Sequence, residues 1–330
     1  MILIDLVYIN SPGGLTISKL LLDNIIELNN QGNYKLLLDR RNSIYFKNYQ
    51  IEKSIISKSE FSRFLFYKRN RQSFKSILCF SNVPPPLRTA VKTFIYFHNE
   101  ILLNQQGLNF SRGKKLIFKI KWTYIKFIKS NHTWFVQTQH MKKLLNEKLN
   151  NSKSVVEVYP IFNEKKISST NKKPLTFIYP SSNNPHKNNF RILNAFVEAA
   201  RKTTKEIELF ITINKLKLDV PKNLKINFLG LIDHYELLSH LRKVEFLIFP
   251  SLRESFGLPL IEGIKANCNV ITSDLNYASE LINPSYTFDP HDEKSISETI
   301  LVALSNKNHP KSTIKIKNSI DLIFKKLDDV

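Results

Sequence analysis

The sequence predicts two successive doubly wound α/β units. Three observations lead there. Short apolar runs alternate with amphipathic helical stretches through both halves of the chain. The runs are continuously apolar rather than alternating, as strands buried on both faces of a parallel sheet are. Residues 163–174 are polar and charged and are bounded by Pro160 and Pro174, as a linker should be. At 330 residues the chain has room for two domains, and its 42% hydrophobic and 23% charged content excludes a disordered chain.

Taken in order, residues 2–9, 35–38, 76–80, 93–97, 133–138 and 155–161 read as the strands of the first half. They are short, rich in β-branched or aromatic residues, and bounded by Asn, Gly, Pro or Ser. Helical periods cover residues 15–28 and 110–129. In the second half, residues 175–179, 208–213, 225–229, 246–249 and 269–272 read as strands. Residues 190–203, 235–243, 258–266, 295–305 and 314–327 read as helices. There is no internal repeat of fixed period and no long low-complexity tract.

Two cysteines, Cys79 and Cys268, exclude a disulfide scaffold and a tetrahedral thiolate metal site. No apolar run reaches the ~18 residues that span a bilayer. The first residues, Met1-Ile-Leu-Ile-Asp5, carry an acid and no basic n-region, and read as a strand rather than a signal peptide. The expected compartment is therefore the reducing cytoplasm. The formal net charge is +21 and it is uneven. Residues 1–170 hold 27 Lys and Arg against 10 Asp and Glu, whereas residues 171–330 hold 22 against 18. Codon bias toward Lys would act evenly, so a basic first half implies a polyanionic partner.

Three loops after strands can carry chemistry. Asn10-Ser-Pro-Gly-Gly-Leu15 precedes a helix, and Gly13 and Gly14 allow positive φ and close backbone approach to an anion, although such a pair is more often only a turn. Tyr179-Pro-Ser-Ser-Asn-Asn-Pro-His-Lys187 opens the second unit, where ligands of α/β sheets bind; its Lys can meet a phosphate or sit on an ordinary polar turn. The third loop, from Phe249 to Glu262, reads FPSLRESFGLPLIE. Glu254 precedes a helix, Pro259 suits its first turn, and Glu262 is the only acid within it. Amides around Phe256, Gly257 and Leu258 belong to a helix start and favour a diphosphate or sugar oxygens. Carboxylates here can accept from vicinal hydroxyls.

Glu254 and Glu262 are separated by seven residues, in E-S-F-G-L-P-L-I-E. This resembles the E-x7-E signature of retaining glycosyltransferases of family 4, which have the GT-B fold of two Rossmann-like domains facing a central cleft. Phe228-Leu-Gly230, residues 235–250, Val270-Ile-Thr-Ser-Asp274 with Glu280-Leu281, and Pro185-His-Lys187 with Ala195-Phe196 are similar to further motifs of that family. Gly13-Gly14 and Phe97-His98-Asn99 are the weaker matches in the first half.

The resemblance implies roles. Glu254 contacts the donor sugar, Glu262 holds ribose hydroxyls, and Phe256, Gly257 and Leu258 line the sugar and diphosphate. Lys187 neutralises the leaving group, Gly13 and Gly14 admit the phosphates, and His98 contacts the transferred sugar, though a lone His is more often structural. It implies an acceptor domain over residues 1–165, a nucleotide-sugar domain over 166–312, and a C-terminal helix over 313–330 packing back toward the first. The donor is a UDP- or GDP-sugar, and no cofactor or metal is required, since no D-x-D motif is visible. The family's Arg five residues before the Lys is Ser182 here, and its Gly after the Lys is Asn188. Arg191 or Arg253 is a candidate to replace the missing cation.

Residues 113–129 place Lys115, Lys119, Lys126 and Lys129 on one helical face and Leu116, Ile120, Tyr124, Phe127 and Ile128 on the other. The apolar face is expected in the core. Trp122, among the lysines, suits a lipid headgroup zone. Lys68-Arg-Asn-Arg71 is a second basic cluster. The resulting expectation is a peripheral enzyme on the inner face of the cytoplasmic membrane, acting on a glycan or lipid-linked acceptor in surface polysaccharide synthesis. A soluble glycosyltransferase or a nucleotide-sugar epimerase of the same fold are the alternatives. A nucleic-acid-binding protein is a further one, but no nucleic acid is expected, because no recognition motif accompanies the charge.

Overall fold

The computed structural model describes residues 1–105, 111–127, 132–149, 154–168 and 170–329. The chain divides into two compact units, Met1–Asn163 with Lys317–Val330, and Glu164–Ile316.

The first unit is built on seven parallel strands: β1 (Ile2–Asp5), β2 (Tyr34–Asp39), β3 (Glu52–Ile56), β4 (Ser76–Cys79), β5 (Lys92–Tyr96), β6 (Thr133–Val136) and β7 (Val155–Val158). Their order is β3-β2-β1-β4-β5-β6-β7, so the winding reverses between β1 and β4. Helices α1 (Pro12–Glu27), α2 (Glu60–Asn70), α3 (Glu100–Leu103), α4 (Arg112–Phe127) and α5 (Gln139–Leu149) connect them. Every residue of β1 and β4 is buried, as central strands of a two-sided sheet must be. One apolar cluster joins alternate strand residues such as Ile2, Ile4 and Leu36 to α1, and the other joins Leu3, Leu37 and Ile77 to α2, α4 and α5.

The second unit repeats the plan with six parallel strands: β8 (Lys173–Tyr179), β9 (Ile207–Ile211), β10 (Leu224–Phe228), β11 (Val244–Phe249), β12 (Asn269–Ser273) and, after the two-residue β13 (Ile282–Asn283), β14 (Tyr286–Phe288). The order is β10-β9-β8-β11-β12-β14, reversing between β8 and β11. Its helices are α6 (Asn189–Arg201), α7 (His234–Lys243), α8 (Leu258–Lys265), α9 (Asn276–Leu281) and α10 (Glu293–Ser305). Strand β13 pairs antiparallel with β15 (Thr313–Ile314). The chain then re-enters the first unit as α11 (Ile320–Asp328). A helix from residue 314 onward was expected. The helix begins six residues later, because Thr313 and Ile314 pair with β13 and Ser319 donates its N–H to Pro160 O at 2.8 Å.

Helix α4 keeps Lys115, Lys119 and Lys126 exposed and Tyr124 half-buried, as expected, but Trp122, Leu116 and Ile120 depart from expectation. Trp122 is buried, its Nε1 donating to Leu102 O at 2.7 Å, with Ile125 buried beside it. Leu116, Ile117 and Ile120, two of them expected in the core, are 55–58% exposed. A tryptophan's area and its satisfied N–H outcompete smaller aliphatics for the core position. Phe110, Ile128 and Lys129 lie outside the described residues. Among the described residues no helix is long and apolar enough to cross a membrane.

Candidate functional site

In the second unit, β8 and β11 are the neighbours at which the winding reverses, the point beyond which open α/β sheets bind their ligands. Lys187 ends the single 3-10 turn Pro185–Lys187 after β8. Its backbone is held from below, where the Tyr179 hydroxyl donates to Lys187 O, and the Leu252 N–H donates to His186 O at 2.8 Å. Its ammonium lies 2.5 Å from Glu254 Oε1, in the loop after β11, and 5.1 Å from the centre of the Phe249 ring. The two side chains are 16% and 15% exposed, so the pair is shielded yet reachable. Two residues read as partners of different substrate groups thus neutralise one another.

Asn188 follows with φ +60°, a left-handed conformation that Asn tolerates better than most L residues. The glycine-to-asparagine departure therefore preserves the backbone path. It also adds a clamp, since Asn188 Nδ2 donates to Pro250 O at 3.3 Å and to Pro290 O at 2.7 Å. Arg191 Nη1 donates to Asn188 Oδ1 and to Pro290 O. Arg191 thus braces the loop; Arg253, beside Glu254, is half-buried.

Glycine is required twice at α8. Gly257, its N-cap, has φ +83°, and an added Cβ would stand 3.2 Å from Leu260 Cδ1. Gly263 faces β11 so closely that a Cβ would come 2.5 Å from Leu247 Cδ2. That approach fixes α8 against the sheet, with Phe256 buried and Leu258 as its first residue. The N-cap Gly257 has no side chain with which to cap the first amides of α8, at the positive end of the helix dipole.

Glu262, one turn in, is buried, and its Oε1 lies 2.7 Å from His234 Nε2. A carboxylate can only accept, so Nε2 carries the proton. His234 is the first residue of α7, capped by Asp233, which accepts the Glu236 N–H at 2.8 Å. The sequence reading missed His234. Its one signal was position: a histidine opening the helix just after the Phe228-Leu-Gly230 strand end.

In the first unit, Gly14 and His98 come together near the β1–β4 reversal. Ser11 caps α1, its Oγ accepting the Gly14 N–H at 3.2 Å. A Cβ on Gly14 would stand 2.9 Å from that Oγ and 3.5 Å from His98 Cε1. Gly13 has open space around it. The expected positive φ is absent at both, because both lie inside α1; only Gly14 is needed, and for close approach. His98 follows β5, and its Nε2 donates to Phe80 O at 2.9 Å. Its N–H donates to the side chain of Asn82, itself at φ +66°. Burial lowers the His98 pKa, against the pull of the Phe80 carbonyl. A neutral ring protonated at Nε2 presents Nδ1 as an acceptor. Among the described residues no group of three or more His, Cys, Asp or Glu is arranged to hold a metal.

Residues 160–319 match the family model described as "Glycosyl transferases group 1". Over 159 residues the chain is 26% identical to the O-antigen chain mannosyltransferase RfbU of Salmonella typhimurium. That alignment covers 45% of this chain and 44% of the relative, so less than half of the relative's length is matched. Anabaena HepE, solved in complex with UDP and glucose, superposes with a TM-score of 0.66 at 11% identity, over 92% of this chain and 90% of that one. The lipopolysaccharide outer core galactosyltransferase WaaB, in its apo form, gives 0.59 at 12% identity over 99% and 94%. These likenesses establish the fold, the two Rossmann-like units of GT-B proteins.

Proposed function

We propose that the protein is a retaining glycosyltransferase of the family 4 type. It moves a sugar from a nucleoside diphosphate to a glycan acceptor, carried on a lipid, in surface polysaccharide biosynthesis. The carrying observation is the pairing at one sheet reversal of Lys187 with Glu254, with Glu262 and His234 on α8 and α7 of the same unit. The family match over residues 160–319 covers all four.

The chemistry asks for positioning and charge. The bond from the anomeric carbon to the phosphate oxygen breaks through an oxocarbenium-like state. Negative charge grows on the leaving diphosphate, and the Lys187 ammonium and the start of α8 stabilise it most in that state. Glu262, oriented by His234, keeps Oε2 for a ribose hydroxyl. Glu254 serves the donor sugar. On the first unit, Gly14, with Gly13 beside it, serves the phosphates, and neutral His98 accepts from a hydroxyl of the transferred sugar.

A melting-temperature panel of UDP, GDP, TDP and ADP, with a single-stranded oligonucleotide alongside, tests the reading. One diphosphate should raise the melting temperature well above the others. No shift with any of them, or a larger shift with the oligonucleotide, would reject it.

A further inference from the structure

We propose that Asn82 is a positioning residue for His98: it fixes the ring so that Nε2 is engaged by the fold and Nδ1 alone is left for the transferred sugar. The inference rests on the proposed role of His98 and deepens it by naming what sets the state of the ring. Asn82 lies half-buried in the loop after β4. Its φ of +66° is a left-handed conformation that Asn tolerates better than most L residues. Asn82 Oδ1 accepts the His98 N–H at 2.6 Å, and this settles which way the amide points, because a backbone N–H can only donate. Asn82 Nδ2 is then the atom 3.4 Å from His98 Nε2, and Nε2 donates instead to Phe80 O at 2.9 Å. One short loop thus holds His98 by its backbone and by its ring.

The surroundings favour a neutral ring. An amide donor beside Nε2 disfavours a positive imidazole, and burial acts in the same sense. Phe80 O, the Phe80 and Tyr96 rings and the Asn82 amide meet the ring, and none of them is charged. Tyr96, the one titratable group of these, keeps its proton because burial raises its pKa. A left-handed residue persists where the structure around it leaves no alternative. Here Arg63 braces the loop from below. Its Nη1 donates to Pro84 O at 2.9 Å and its Nη2 to Val83 O at 3.4 Å, while Nε donates to Asp5 Oδ2. Arg63 is fully buried, and Pro84, Pro85 and Pro86 stiffen the chain that follows. The Asn82 amide is therefore a fixed arm to which the His98 ring conforms.

The test is nuclear magnetic resonance of the full chain, isotopically labelled in its histidine ring nitrogens, beside turnover in two variants. Asn82→Gly meets φ +66° without strain and removes the amide. Asn82→Asp keeps an oxygen for the His98 N–H and sets an anion beside Nε2. Both should melt as the parent does, and each tests the inference by itself. The His98 signals are identified by their loss in His98→Ala. In the parent they should show a single tautomer, protonated at Nε2, through the neutral range. In the glycine variant the two tautomers should average, and turnover with the full donor should fall about tenfold or more. In the aspartate variant the ring should take its second proton about one pH unit higher or more. Because transfer needs the neutral ring, the acid limb of its turnover profile should move up by the same interval, with activity restored above it. Sugar-free diphosphate should bind both variants as it binds the parent. The inference is overturned if the glycine variant keeps the single tautomer, if the aspartate variant titrates as the parent does, or if turnover is unchanged in both. A parent that binds no nucleoside diphosphate would reject the proposed function instead, and the ring signals would still decide what Asn82 does.

Discussion

Replacing Glu254 by glutamine should tighten the binding of a nucleoside diphosphate while slowing transfer. The Lys187 ammonium and the Glu254 carboxylate are 2.5 Å apart, so an incoming diphosphate competes with an internal anion for its cation. It also approaches that anion. At about 6 Å, two unit negative charges repel by ~0.7 kcal/mol in bulk water and ~2.8 kcal/mol at an effective dielectric of 20. A middle value of about 1.5 kcal/mol corresponds to about tenfold in the dissociation constant. Glutamine keeps the side chain's size, and the ammonium keeps the Phe249 ring 5.1 Å away, so the loop should hold its place. Isothermal titration with the sugar-free diphosphate reads the affinity directly. The gain should shrink as salt rises. Turnover with the full donor should fall roughly a hundredfold or more, since the sugar loses its carboxylate. Unchanged or weaker diphosphate binding in Glu254→Gln would refute the reasoning.

Three further outcomes are expected. Glu262→Ala should weaken diphosphate binding roughly 10- to 100-fold and abolish the preference for the ribo- over the 2′-deoxy form; His234→Ala should do so to a lesser degree, and His234→Gln, which can still donate, should restore most of the affinity in the same titration. Gly14→Ala should crowd Ser11 Oγ and loosen the cap of α1, lowering stability by about 1 kcal/mol in denaturant melts. His132 is buried with its pKa lowered by desolvation from 6.5 to about 4, so its contribution to stability is complete above pH 6.5 and is lost as pH falls toward 4; up to about 3 kcal/mol should disappear across that window, and His132→Phe should remove that part of the slope.

Strands buried on both faces announce themselves, which is why β1, β4, β8 and β11 were legible as continuous apolar runs. Strand β3, at the sheet's edge, reads Glu-Lys-Ser-Ile-Ile and is mostly half-buried, so it carries no such signal. Helix α2 hides for another reason. Its inward residue Arg63 is fully buried on Asp5, with Nε donating to Oδ2 at 2.9 Å, and a buried cation breaks the apolar period. In α4 the period was visible, but two apolar arcs competed and periodicity does not say which faces inward. At the site, loop chemistry was readable from Glu254, Glu262 and Lys187, whereas their pairings were not. The Lys187–Glu254 pair spans 67 residues and the His234–Glu262 pair 28, separations that only the strand order brings to one place.

The return of α11 to the first unit has a consequence for biogenesis. Ile320, Ile323, Phe324 and Leu327 are buried in the same cluster as Ile2, Ile4 and Tyr34, and Ser76 Oγ donates to Leu327 O at 2.8 Å. Residues 164–316 form an uninterrupted segment that a ribosome can deliver whole. The unit begun by residues 1–163, although synthesised before residues 164–316, stays unfinished until residues 317–330 emerge. A nascent or truncated chain lacking its tail would display a greasy gap beside β1, an invitation to chaperones.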